Sequence, residues 1–358
     1  MLMRKALALI LILLALLVTP VFSTGVDTYC FDLLSETEQL AYQALQDCLI
    51  HMITSWNCGS MSQETIQKAF DCLLMDHPEI YWVNGYTYVT SYLRNSITGH
   101  RVEFTYNLDR QTILRTNQEI EDSIMEIADQ LESIDPSYET VKAVYDYMID
   151  NCTYDELNLD QSLCSVMLEK SGVCASFSKA FEFIMQCLGI PCTVVYGRLT
   201  QSEGMLNTTL GHEWNLVQIN GQWYHVDVTS GIAVSAEDGI PDYRFLCTTT
   251  EEILKTHTIE NPVPIPECNS TDLEFYNYFG LSVETYSREA VAQCMLRAMD
   301  LGYGPVVKFT NYHAFSDAID DLFKNQGIFQ AIEDATGMVV TAVDYTIYEE
   351  ELILRLHN

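Results

Sequence analysis

Basic residues are scarce in this 358-residue chain. Eighteen lysines and arginines stand against 50 aspartates and glutamates, a formal net charge of −32. That imbalance argues against duplex nucleic acid and anionic lipid, polyanions that need a cationic surface. The acidic residues are spread along the chain rather than gathered in a tail, so they read as a solvated surface and not as a cation site. No C-x-x-C pair occurs, and Cys187 and Cys192 are separated by Gly189-Ile190-Pro191, so no tetrahedral metal-ligand set is legible. No internal repeat or low-complexity tract is present, which sets aside solenoids and propellers. After the first 23 residues there is no apolar run long enough to cross a bilayer.

The long apolar run that does occur, Ala6 to Val18, follows Arg4 and Lys5 and precedes the small-residue pattern Val21-x-Ser23. This is the pattern of a secretory signal, with cleavage expected before Thr24 and membrane attachment only if the segment is retained. Removing Arg4 and Lys5 leaves 16 basic residues against 50 acidic ones, a net of −34 on the expected secreted or envelope protein. All twelve cysteines lie in the exported part, where an oxidising compartment permits disulfides, although their pairing cannot be read from sequence. Buried cysteine acting as a small hydrophobe accounts for several of them.

The remaining length suits two or three domains. Expected are a signal peptide at 1–23, an N-terminal α/β region at 24–134, a core at 135–260, a linker at 261–270 and a small C-terminal α/β domain at 271–358. Ser35 and Glu38 form a capping-box pattern before a helix, and a second helix runs from Gln63 to Met75, stopping before Pro78. Aromatic and β-branched residues from Glu79 to Leu93 and from Arg101 to Leu108 predict a hairpin turning at Thr98-Gly99. Helices follow at 111–131 and from Tyr138 to Ile149. The segment "NPVPIPECNS" at 261–270 carries three prolines and no periodicity, hence the linker. Beyond it come a helix from Arg288 to Leu301, the strand "PVVKF", a helix from Phe315 to Ala335 and a β pair within 337–357.

Two segments carry chemistry. After Cys174, the residues Phe177, Phe181, Ile184 and Leu188 keep the spacing of a helix packed on a core, and Gly189 with Pro191 supplies its stop. Cys174 thus sits at a helix start, where free N–H groups and the positive dipole end favour a thiolate. The second segment is "GHEWNLVQINGQWYHVDVTS", Gly211 to Ser230, in which alternating runs flank Asn220-Gly221, a strong hairpin signal. A two-residue turn places Trp214 opposite Asp227 and His212 opposite Thr229. His212, Trp214, Asp227 and Thr229 then share one face, with His212 diagonal to Asp227 at roughly 7–8 Å between backbones. His225 lies on that face too and is the alternative base. A cysteine, a histidine 38 residues later and an aspartate 15 further match the needs of thiol catalysis. The thiolate attacks an acyl carbon, the imidazolium protonates the leaving group and the carboxylate fixes the imidazole tautomer. Core cysteine, structural histidine and strand-end aspartate are the bland readings of the same residues taken singly.

The segment "SGVCASFSKAFEFIMQCLGIPCTVVYG", preceded by "VYDYMIDNCTYD" and followed by Gly211–Ser230, resembles the transglutaminase-like core. "AFDCLLMDHPEIYWVNGYTY", Ala69 to Tyr88, is similar to a region of exported bacterial members. The resemblance implies an α+β, papain-like fold in which a helix bearing the cysteine packs on an antiparallel sheet bearing histidine and aspartate. It implies Cys174 as nucleophile, His212 as base and Asp227 as orienting acid, with no metal or organic cofactor. It implies a protein or peptide substrate and a cysteine protease or transglutaminase-like acyltransferase, hydrolysis being preferred; a catalytically silent envelope binding module is the alternative from another class. Members commonly carry glycine two residues after the nucleophile and tryptophan after the threonine that follows the aspartate; here Ser176 and Ser230 stand there. The backbone N–H of Cys174 and the side chains of Gln161 and Tyr154 are candidates for the oxyanion donor.

Overall fold

The computed structural model describes residues 28–94, 96–131, 135–200, 210–232 and 241–357. The expected signal segment lies outside them. The chain is α+β. In order, the strands are β1 Ser55–Gly59, β2 Val83–Leu93, β3 Ser96–Tyr106, β4 Thr153–Tyr154, β5 Ser171–Gly172, β6 Cys192–Leu199, β7 Leu210–Ile219, β8 Gln222–Val226, β9 His257–Ile259, β10 Ser282–Val283, β11 Val306–Phe309, β12 Asp344–Tyr348 and β13 Ile353–His357. They form sheets ordered β1-β3-β2, β4-β5, β8-β7-β6-β9 and β10-β11-β13-β12.

At the N-terminal end, Ser35 opens the Glu36–Ile50 helix with its N–H donating to Glu38 Oε2 at 2.8 Å, the reciprocal cap its sequence predicts. The Gln63–Asp76 helix ends one residue later than expected and uses Asp76 as an anchor. The carboxylate of Asp76 accepts from the N–H groups of Cys30 and Phe31 at 2.8 and 3.0 Å and from the Tyr42 hydroxyl at 3.0 Å. The β2–β3 hairpin departs from expectation. Its strands close at the Leu93–Ser96 pair, beside Arg94 at φ +56°, rather than turning at Thr98-Gly99, where Gly99 instead sits at a register shift. β1 pairs with β3 as a third strand that the short "SWNCG" does not announce.

The Cys174–Cys187 helix lies against β6 and β7, with Phe177, Phe181, Ile184 and Leu188 buried in one continuous core shared with the N-terminal helices. Midway along it, Asn215 Nδ2 of β7 donates to the carbonyl of Ser178 at 3.0 Å, tying helix to sheet. Gly189, at φ +72°, ends it as the glycine-proline signal predicts. The β7–β8 ladder pairs Ile219 with Gln222 and Asn215 with Val226, and both Asn220 and Gly221 have positive φ, as a two-residue type I′ turn demands. The ladder stops at Val226. Asp227 N–H bonds Phe245 carbonyl at 2.9 Å and residues 228–232 are helical, so Thr229 does not face His212 across a strand pair.

Residues 261–270 contain no helix or strand, yet they are laid on the core: Asn261 Oδ1 accepts from Tyr196 N–H, and Cys268 N–H donates to Thr250 Oγ1. A separate apolar cluster forms around β10–β13 and the helices beside them. The helix expected from Phe315 to Ala335 is broken there. Tyr312–Ile319 passes through a π-helical turn at Asp320–Lys324, then Gln326 takes φ +59° and a new helix runs from Gly327 to Thr336.

Candidate active site

Cys174 is the first residue of its helix, after Val173 in extended conformation. Its N–H is therefore one of those that the helix leaves without an internal partner. Ser176 fastens this end. Its hydroxyl accepts from Val173 N–H at 2.9 Å and donates to Val173 carbonyl at 2.8 Å. The hydroxyl is accommodated because Gly172 has no side chain: a Cβ there would lie 2.3 Å from Ser176 Oγ and 2.9 Å from Ser165 Oγ. The serine that departs from the family's glycine is thus part of the device that holds the cysteine loop.

His212 comes from β7, paired with Gly197 of β6. It is buried, and its Nε2 lies 2.8 Å from Asp227 Oδ2. That leaves Nδ1 as the nitrogen not bound to Asp227, with Cys174 close enough to help hold the imidazolium up. Burial pushes the His212 imidazolium down, but the charge and hydrogen bond of Asp227, then those of Cys174, outweigh it and hold His212 up at about 10. Asp227 is fully buried. Burial pushes its carboxyl up, and the charge and hydrogen bond of His212, with the same from His257, more than reverse this and hold it well below the usual carboxylate range.

The second departure also falls on this carboxylate. Ser230 donates its N–H to Asp227 Oδ1 at 3.0 Å and its hydroxyl to Oδ2 at 2.6 Å. His257 adds Nε2 at 3.0 Å from Oδ2. Sequence reasoning missed His257: it is 30 residues from Asp227 and no parity relation joins them. The donor atoms of His212, Asp227 and His257 lie within 4.8 Å of one another, a spacing a metal ion could use. Those same atoms already satisfy each other by hydrogen bonds.

His225, the alternative base, is engaged elsewhere. Its Nδ1 accepts from Trp214 Nε1 at 3.0 Å and its Nε2 is 3.2 Å from Thr250 Oγ1. Burial, then the charge of His257, pushes it down to about 3, so it serves as a neutral acceptor for the buried indole. Trp214 itself stacks beside His212, with ring centroids 5.9 Å apart at 20°.

Cys174 and His212 open onto a cleft of about 450 Å³ lined also by Glu156, Leu159, Gln161, Tyr196, Glu213 and Glu260. Of the oxyanion candidates, Gln161 lines this cleft. Tyr154 is the register partner of Gly172, and its hydroxyl is pushed up first by burial and next by the charge of Cys174. All twelve cysteines are free thiols, Cys174 among the few that are not fully buried.

A family model described as the transglutaminase-like superfamily matches residues 125–228, a span that ends one residue beyond Asp227. The segment is a transglutaminase-like core. Solved structures similar to the chain include a proposed cysteine protease from Cytophaga hutchinsonii, at 16% identity and TM-score 0.27 over 41% of this chain and 65% of that one. Another is a TGase, at 18% identity and TM-score 0.29 over 42% of this chain and 45% of that one. A third is the periplasmic domain of TgpA from Pseudomonas aeruginosa bound to ethylmercury, at 17% identity and TM-score 0.27 over 39% of this chain and 59% of that one. The chain thus spans less than two thirds of the length of each of these three. No curated protein matches. The transglutaminase-like core here includes the Cys174 helix, β6, β7 and β8; β9, which carries His257, lies beyond the matched span.

Proposed function

We propose that this protein is an exported thiol hydrolase that acts on peptide or isopeptide acyl groups through an acyl-enzyme at Cys174. The observation that carries the reading is the convergence of Cys174, His212 and buried Asp227 at the wall of an open cleft. The thiolate sulfur attacks the acyl carbon and the C–N bond breaks. His212 gives its proton from Nδ1 to the departing amine, then takes one from the water that attacks the thioester, and Asp227 keeps Nε2–H directed away from the cleft. Nothing in this sequence of steps draws on a metal or organic cofactor. Among the described residues no helix is long and apolar enough to cross a membrane, and export rests on the residue 1–23 signal pattern.

Amine transfer is the second reading, favoured by Glu156, Glu213 and Glu260 in the cleft wall, which attract an ammonium-bearing acceptor. The test is mass spectrometry of a panel of unfolded proteins incubated with the mature chain and a labelled primary amine. New termini that are absent with Cys174→Ala support hydrolysis, and incorporated amine supports transfer. Neither product, with no thioester trapped on Cys174, overturns both.

A further inference from the structure

The Asp227 carboxylate has more donors than a histidine–aspartate pair requires. Oδ2 meets His212 Nε2 at 2.8 Å, Ser230 Oγ at 2.6 Å and His257 Nε2 at 3.0 Å, with no exposure to solvent. His257 is itself buried, with its ring edge-on to Trp214 at 4.9 Å and to Phe245 at 5.9 Å. Its other nitrogen, Nδ1, is 2.8 Å from Thr256 Oγ1, whose alternative acceptor, the Ile253 carbonyl, is a longer 3.5 Å away. Whichever partner donates in that contact, Nε2 faces a buried carboxylate that can only accept, so Nε2 carries a proton aimed at Asp227.

The fold goes to some length to bring this ring in. β9 adds to the free edge of β6, pairing His257 with Leu199 and Ile259 with Gly197. A Cβ on Gly197 would sit 1.8 Å from the Thr258 carbonyl and 2.7 Å from the Trp214 ring, so glycine is what lets β9 and Trp214 close on the same point.

We propose that His257 is a positioning residue for the thiol chemistry: its Nε2–H fixes the rotation of the Asp227 carboxylate, so that His212 stands with Nδ1 towards Cys174. This rests on the reading of Cys174 as a nucleophile. A side chain at 257 that only filled space would leave the pH response of Cys174 alone. One that orients Asp227 would not, because a carboxylate turned away from His212 holds the imidazolium less firmly, and the thiolate paired with that imidazolium is then protonated at a higher pH. The other titratable groups around the trio are Cys174, Tyr145 from the Tyr138–Asn151 helix, Tyr154 from β4, Glu213 from β7 and His225 from β8.

The experiment measures iodoacetamide alkylation of Cys174 from pH 4 to 9, with melting curves, in wild type, His257→Phe and His257→Gln. Phenylalanine keeps the ring against Trp214, whereas glutamine restores an N–H donor. Expected for His257→Phe is a loss of about 10- to 100-fold in rate at pH 5, the scale of one charge-assisted hydrogen bond, with the acid limb moved up by about one pH unit. His257→Gln is expected to recover most of both. If His257→Phe does not fold, Thr256→Val, which removes the partner of Nδ1 and so the second tether of the ring, shifts the limb in the same direction. A folded His257→Phe or Thr256→Val with the wild-type profile overturns the role of His257, as does a glutamine variant no better than phenylalanine. Wild-type alkylation that is indifferent to His212→Ala overturns instead the nucleophile reading beneath it.

Discussion

Replacing Gly172 by alanine probes the junction that holds Cys174. The new methyl would lie 2.3 Å from Ser176 Oγ, 2.9 Å from Ser165 Oγ and 3.0 Å from Val166 Cγ2. Ser176 cannot turn away cheaply, because its hydroxyl is bound at both ends to the Val173 backbone. Overpacking by a methyl costs about 1–3 kcal/mol. Alanine's smaller unfolded-state freedom returns about 0.4–1 kcal/mol, since Gly172 is not at positive φ. A net loss of roughly 1–2 kcal/mol in urea denaturation is expected, together with slower alkylation of Cys174 as the helix start shifts. Restoring the family's glycine as Ser176→Gly in the same chain removes the obstructing hydroxyl. The two substitutions should therefore couple by about 1–3 kcal/mol in a double-mutant cycle. A neutral Gly172→Ala, or strictly additive effects, would refute the account of why serine is tolerated two residues after the nucleophile.

The other predictions concern the carboxylate, the cleft and pH. Ser230→Ala removes a 2.6 Å hydroxyl donation to a buried charge and should cost about 1.5–3 kcal/mol in denaturation, with Ser230→Thr recovering most of it. Cationic peptides should be turned over about tenfold more efficiently than anionic ones at 10 mM salt, the gap closing by 0.5 M, and Glu156→Lys should narrow it; equal rates at low salt would exclude steering by the acidic cleft. His212 is held at about 10, above its unfolded value of about 6.5, so its stabilising contribution is complete below about pH 6.5 and lost as pH rises to about 10. The stability difference between wild type and His212→Gln should shrink across that window; a difference that grows with pH contradicts the assignment.

The most legible parts of the site were those set by local chemistry. Asn220-Gly221 determines its own turn, and the turn determines the register that carries His212 towards Asp227. The helix behind Cys174 was legible because its apolar spacing and its glycine stop are both local. Tertiary contact overrides strand parity past Val226: Asp227 leaves the ladder to bond Phe245, and Thr229 goes with it into a helical turn. Phe315 to Ala335 reads as one helix in the sequence because the left-handed conformation of Gln326 leaves no mark on the apolar periodicity. His257 reaches the site only because β9 pairs with β6 over Gly197, a long-range event with no sequence spacing of its own. Ser176 and Ser230 were visible as departures from a pattern, but their partners, the Val173 backbone and the Asp227 carboxylate, follow only from the fold.

The most direct test of the central claim is the rate of Cys174 alkylation against pH in wild type and His212→Ala. The account predicts rapid labelling of wild type below pH 7, and a loss on the order of 100-fold in His212→Ala while His225→Ala labels like wild type. Slow labelling below pH 7 in all three proteins, or a loss that follows His225 instead, would contradict it.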